Sequence, residues 1–139
     1  MGVIQQSPGA IGYGQLVFVT QNHIPYAAMR NAAGVFAVPT LAHISAAVAA
    51  STLDGPAQHG PSGGASATGR SLDAGAYPIF GLTYIVLYRQ QPSPAKAKHL
   101  TDFLKWALHQ GQQYVKPLVY APLPTNTIRL NERQIELIK

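Results

Sequence analysis

The sequence predicts an α/β fold, on three observations. Residues Phe80 to Tyr88 form a run in which both alternating sets of side chains are largely apolar, as in a strand covered on two sides. Ser93-Pro94 opens a segment whose apolar residues recur at helical spacing. Tyr26 to Met29 and Val35 to Val38 flank Asn31-Ala32-Ala33-Gly34, the pattern of a small hairpin with a glycine-containing turn.

Composition bounds what the chain can be. Its 139 residues, 47% of them hydrophobic, suffice for one domain with a single core and argue against a disordered chain. Only 11% are charged, so the surface is polar through amides, hydroxyls and backbone, and a dense salt-bridge network is not expected. The net charge of +5 is spread from Arg30 to Lys139 with no run beyond Lys96-Ala97-Lys98. Nucleic-acid binding needs clustered cations, so no nucleic-acid partner is expected. With no cysteine, disulfides and thiolate chemistry are excluded and the compartment is left open. Met1-Gly2-Val3-Ile4 runs straight into polar Gln5-Gln6-Ser7, which is no signal peptide, and no stretch approaches the roughly 20 apolar residues of a membrane span. A targeting signal, if there is one, is expected upstream.

In chain order, Ser7-Pro8-Gly9-Ala10-Ile11-Gly12-Tyr13-Gly14 reads as a turn, a brief buried strand and a second turn. Gln15 to Asn22 carries an unbroken apolar run that fits helix or strand, with helix preferred. After the hairpin, Thr40 is the expected N-cap of a helix through Leu41, Ile44, Ala47 and Val48 to about Ser51. Residues Asp54 to Gly75 are Gly, Pro, Ser and Ala with almost nothing large to bury, and read as a long loop. The stretch from Ser62 to Arg70 looks superficially like an anion-cradling loop but lacks the Gly-Lys-Ser/Thr ending, so it is taken as linker.

The strand at Phe80 to Tyr88 follows, then a helix from about Pro94 to Gln110 with Ala97, Leu100, Phe103, Leu104, Ala107 and Leu108 on one stripe. Gly111 breaks it, Gln112 to Leu118 resumes it, and Pro117, Pro122 and Pro124 impose turns. A last helix is expected over about Thr127 to Ile138, with Ile128, Ile135 and Ile138 on its stripe.

Residues that could carry chemistry are few. The histidines stand at 23, 43, 59, 99 and 109, no two at the i, i+3 or i+4 spacing of a helical ligand pair, and His99 and His109 are about 15 Å apart along their helix. Solvated or singly hydrogen-bonded rings are expected. Among the acids Asp54, Asp73, Asp102, Glu132 and Glu136, the last two lie at i, i+4, but Arg129 and Arg133 interleave with them, which reads as a salt-bridged solvated face rather than an acid/base pair. No Gly-x-Ser-x-Gly elbow occurs. The expectation is no enzyme, no catalytic residue, no metal site and no cofactor. Trp106 could stack on a ligand, though packing on a neighbouring element is its commoner fate.

Three blocks carry a family resemblance: Pro8-Gly9-Ala10-Ile11-Gly12-Tyr13; Tyr77-Pro78-Ile79 with the run after it; and Asp102-Phe103-Leu104-Lys105-Trp106-Ala107 followed by Tyr120-Ala121-Pro122-Leu123-Pro124. In this order they resemble the C-terminal half of the periplasmic phosphate-binding receptors of phosphate ABC transporters, the PstS family. The resemblance implies a partial periplasmic-binding-protein type II fold, with residues 1–76 completing a second lobe and 77–139 crossing back to complete the first.

It also implies a solute receptor for inorganic phosphate, a transporter permease as partner, and a periplasmic or extracellular setting at the cell envelope. The family's anion contacts come from loops and helix N-termini upstream, whose free amides favour an anion. No phosphate ligand is therefore carried onto a residue of this chain, and its ligand-binding residues stay unknown. Arg70 is not taken as a substitute. Receptor activity is expected to need the missing N-terminal half. The alternative is a self-associating structural or interaction protein without ligand, a homo-oligomer; a phosphatase or hydrolase lacks its nucleophile and metal ligands.

Overall fold

The computed structural model describes residues 2–50 and 75–139. Its content is helical with one two-stranded sheet: helices α1 (Gly2–Gln6), α2 (Leu16–Gln21), α3 (Leu41–Ala50), α4 (Pro94–Leu108) and α5 (Thr125–Ile135), strands β1 (Met29–Arg30) and β2 (Phe36–Ala37), and a 3-10 turn at Gln110–Tyr114. The loop expected from Asp54 to Gly75, its Ser62 to Arg70 stretch and the α3 terminus at Ser51 lie outside the described residues, Gly75 excepted.

The short helix α1 was not expected from the sequence. Its Ile4 side chain lies where a Cβ on Gly12 would be, so Gly12 is the residue that admits this contact. The brief buried strand expected around Ile11 is absent. Ser7 to Ala10 closes a turn by Ala10 N–H to Ser7 O at 3.1 Å, and Ile11 and Tyr13 are 98% and 97% exposed. A strand exists only with a ladder partner, and among the described residues none reaches this segment.

The helical preference for Gln15 to Asn22 holds as α2. Its end is closed by Ile24 N–H to Val19 O and His23 N–H to Thr20 O, the paired bonds of a Schellman motif, with His23 at φ 51° in the left-handed position. The hairpin also forms, antiparallel with Met29 opposite Ala37 and Arg30 opposite Phe36, but each strand is only two residues long.

Asn31 organises the turn. Its Oδ1 accepts from the Ala33 and Val35 amides, both at 3.1 Å, and its Nδ2 donates to Ala76 O, tying the hairpin to the chain 45 residues on. Gly34 sits at φ 81°, where a side chain is rarely tolerated. Thr40 caps α3 as expected, its Oγ1 accepting from His43 N–H at 3.1 Å.

The expected central strand at Phe80 to Tyr88 does not form, which is the main correction to the sequence reading. No ladder includes it among the described residues; Phe80 and Leu82 are half-buried, while Val86 is 91% and Tyr88 87% exposed. The side chains have the pattern of a strand buried on both faces, but two-sided burial requires neighbouring strands that the described residues do not supply. Immediately after it, Lys139 N–H donates to Arg89 O and Gln91 N–H donates to Lys139 O, both at 2.7 Å. That pair of bonds is one rung of a parallel ladder.

Helix α4 follows the prediction to within two residues at its end. Ser93 is the N-cap, its side chain accepting from Lys96 N–H at 3.3 Å, and Pro94 occupies the first helical position where its missing N–H costs nothing. Lys98 Nζ lies 2.7 Å from Asp102 Oδ2, and this hydrogen bond holds the Asp102 carboxyl below its usual range.

Beyond α4 the helix does not resume over Gln112 to Leu118. It becomes the 3-10 turn and then a second Schellman-type closure, Tyr120 N–H to Val115 O and Val119 N–H to Lys116 O. Pro117, lacking an N–H, is poorly suited to prolong it. The terminal helix starts two residues earlier than expected and ends at Ile135, so Ile138 lies past it.

The core is thin. Ile24, Ala37, Ala47, Val48, Ala76, Ala97, Leu104 and Ile135 are its buried apolar residues among those described, and no large side chain is completely enclosed. Polar ties hold the elements: Ser45 Oγ to Pro122 O at 2.9 Å and Asn126 Nδ2 to Ala49 O at 3.0 Å join α3 to the approach and first turn of α5. Gln112 fixes the 3-10 turn by donating to Ala107 O and accepting from Leu123 N–H.

Candidate functional site

Two features stand out from this framework, a charged cleft and an uncovered apolar segment. The cleft lies between α4 and α5, has a volume of about 530 Å³, and is lined by Lys105, His109, Arg129, Glu132, Arg133 and Glu136. Lys105 and His109 are one turn apart at the end of α4. Residues 129, 132, 133 and 136 follow the i, i+3, i+4, i+7 rule, so one stripe of α5, continued into its C-cap, is wholly charged.

One ion pair crosses the cleft, His109 Nε2 to Glu132 Oε1 at 2.8 Å, with both side chains more than a third exposed. The salt-bridged face expected for Arg129, Glu132, Arg133 and Glu136 is not what forms. Among the described residues neither arginine pairs with a carboxylate, and Glu132 turns to the histidine of the other helix. An i, i+4 pair is worth only a few tenths of a kcal/mol in water. A cross-helix partner can easily outweigh it, and sequence spacing cannot reveal that partner.

The sequence separates His109 from Glu132 by 23 residues, so their pairing could not be read from spacing. Lys105, not singled out as a functional candidate, was visible only as a charge one turn before His109. Trp106 does pack on its neighbours, its ring 6.0 Å from Phe103 and 6.2 Å from Tyr114 between centroids. His43 makes one ring contact, Nδ1 to Val38 O at 2.9 Å. Among the described residues no group of three or more histidines and acids is disposed to hold a metal ion, and no helix is long and apolar enough to cross a membrane. Positions 54, 59, 70 and 73, named in the sequence reading, fall outside the described residues.

The apolar feature is the run from Ile79 to Tyr88. It has no charged residue, and Ile79, Tyr84, Ile85, Val86, Leu87 and Tyr88 are all exposed. Exposed apolar stretches of this size mark surfaces that another polypeptide covers. Neither feature holds a nucleophile with an adjacent base or a hole of convergent amide donors. Among the described residues the two features are surfaces, one charged and one apolar.

No protein-family model matches the chain. It is 36% identical over 127 residues to the phosphate-binding protein PstS of Xylella fastidiosa, covering 91% of this chain and 33% of that protein. PstS of Methanocaldococcus jannaschii is 29% identical over an alignment covering all of this chain and 37% of that protein, and PstS of Pasteurella multocida is 28% identical over 90% and 35%. Over nine tenths or more of its length the chain is similar to phosphate-binding proteins of the PstS type. It spans about a third of the length of these curated relatives, not the half that the sequence reading supposed.

Proposed function

We propose that the chain is the C-terminal portion of a phosphate receptor serving a phosphate ABC transporter, and that it acts together with the other two thirds of the receptor. In this reading the complete protein has the periplasmic-binding-protein type II fold and works in the periplasm or at the outer face of the cell envelope against a transporter permease. Residues 1–76 belong to its second lobe and 77–139 to its first. The uncovered run Ile79 to Tyr88 is the observation that carries the proposal. It has the composition of a central strand, it lacks ladder partners among the described residues, and the similarity extends over only a third of each relative. The strands that would flank it then belong to the remaining part of the receptor.

Phosphate is a dianion near neutral pH, and burying it requires several converging donors. No such set is found among the described residues, and the family's contacts are expected upstream. Equilibrium dialysis with labelled phosphate should therefore show no micromolar binding by this chain alone. Tight binding should appear when the remaining two thirds of the Xylella fastidiosa relative is refolded with it as a separate polypeptide. Micromolar binding by the chain alone, or no gain in the mixture while the two polypeptides co-sediment, would refute the proposal.

A second reading is favoured by the same exposed run. A charge-free edge with apolar side chains on both faces can pair with a second copy of itself, which would make the chain a self-associating interaction protein without ligand.

A further inference from the structure

Helix stripes that face another helix are normally apolar, because that is how a helix pair buries surface. The stripe of α5 that lines the cleft beside the end of α4 is instead charged and largely exposed: Arg129, Glu132, Arg133, then Glu136 at the C-cap. Opposite it stand Lys105 and His109. The lining therefore brings three fixed cations, Lys105, Arg129 and Arg133, against two carboxylates. Glu132 is already engaged by His109 at 2.8 Å, and among the described residues none of the three cations is in an ion pair.

We infer that the cleft between α4 and α5 binds a small polyvalent oxyanion of the pyrophosphate or phosphate-ester type, at a site separate from the receptor's transported phosphate. The volume of about 530 Å³ lies in the range of small-molecule sites. Two guanidinium groups one turn apart present planar donor forks that match phosphoryl oxygens in pairs, and the Lys105 ammonium adds a point charge from the opposite helix. A divalent cation is a poor fit, since three fixed cations stand beside the two carboxylates that would have to hold it. Three cations carried on two helices favour a ligand with more than one anionic group over a single orthophosphate.

Lys105, Arg129 and Arg133 are exposed, so the site is shallow and its electrostatics are screened by salt. Affinity for pyrophosphate in the region of about 1 mM at low ionic strength is expected. Glu136 opposes the anion, and this sets the sign of one informative substitution.

The test is a titration of the full chain with sodium pyrophosphate at low ionic strength, followed by amide chemical shifts. Saturable shifts should concentrate at Lys105, His109 and residues 129–136. Arg133→Gln should weaken binding about tenfold, while Lys98→Gln, which changes net charge by the same amount outside the cleft, should leave it unchanged. Glu136→Gln should tighten binding about threefold or more, and because it removes only a repelling group it decides the matter even if Arg133→Gln unfolds. Non-saturating shifts, equal weakening by Lys98→Gln, or no gain from Glu136→Gln would overturn the inference. So would orthophosphate binding as tightly as pyrophosphate, which would assign the cleft to the single anion instead. None of these outcomes bears on whether phosphate binding requires the rest of the receptor.

Discussion

Two residues with side chains occupy backbone space that favours glycine, His23 at φ 51° and Val119 at φ 60°. Both sit at the left-handed position of a Schellman closure, where the following amide reaches back to the carbonyl five residues earlier: Ile24 to Val19, and Tyr120 to Val115. The strain is greater at Val119, whose branched Cβ crowds the next carbonyl. Replacing it with glycine relieves roughly 1–2 kcal/mol of steric strain and costs part of that in unfolded-state entropy. Val119→Gly is therefore expected to stabilise the chain by about 1 kcal/mol, read as a higher urea midpoint with unchanged slope. Loss of stability would show that the Val119 side chain contributes more by packing than its backbone costs.

At the scale of elements, what was legible was whatever is set within a few residues. The cap at Ser93, the proline after it and the apolar period through Leu104 are local facts, and α4 appears where they put it. Thr40 and α3 behave likewise. Ser93→Ala removes the acceptor of the Lys96 amide and should cost about 1 kcal/mol, measurable by thermal or urea unfolding. A cost below a few tenths would mean that water or a neighbouring group replaces the hydroxyl. Elements that depend on distant partners were read less well. The hairpin forms, but its strands are only two residues each, in a sheet that has two strands among the described residues. The candidate cleft is not legible for the same reason: its charges lie on two helices, and spacing along one helix suggests pairs for Arg129 and Arg133 that do not form.

For the whole molecule, the balance between buried and exposed apolar groups is the governing fact. Half of the described core residues are alanines, beside Ile24, Val48, Leu104 and Ile135, while Ile85, Val86 and Tyr88 stand in solvent. Fully burying one large apolar side chain contributes about 1.5–3 kcal/mol, so covering several is comparable to the entire stability of a small domain. On its own, the chain is expected to self-associate through Ile79 to Tyr88. Sedimentation velocity over a concentration series should show species larger than a monomer, and Val86→Lys should shift the boundary toward monomer. A single monomeric boundary at high concentration, with a cooperative thermal transition, would sink this expectation.

The sequence by itself determined the caps, the turns and the amphipathic period of α4, because each depends on contacts within about one or two turns of chain. It also carried the likeness to PstS proteins, two of which are 36% and 29% identical to it over the aligned residues. Tertiary structure alone decided that Phe80 to Tyr88 is uncovered, that His109 rather than an arginine takes Glu132, and that six charged or titratable groups from α4, α5 and their caps share one cleft. The physical reason is common to all three. A ladder, a cross-helix ion pair and a cleft each require two segments far apart in sequence to meet, and neither partner's local pattern records which segment it will meet or whether that segment is present.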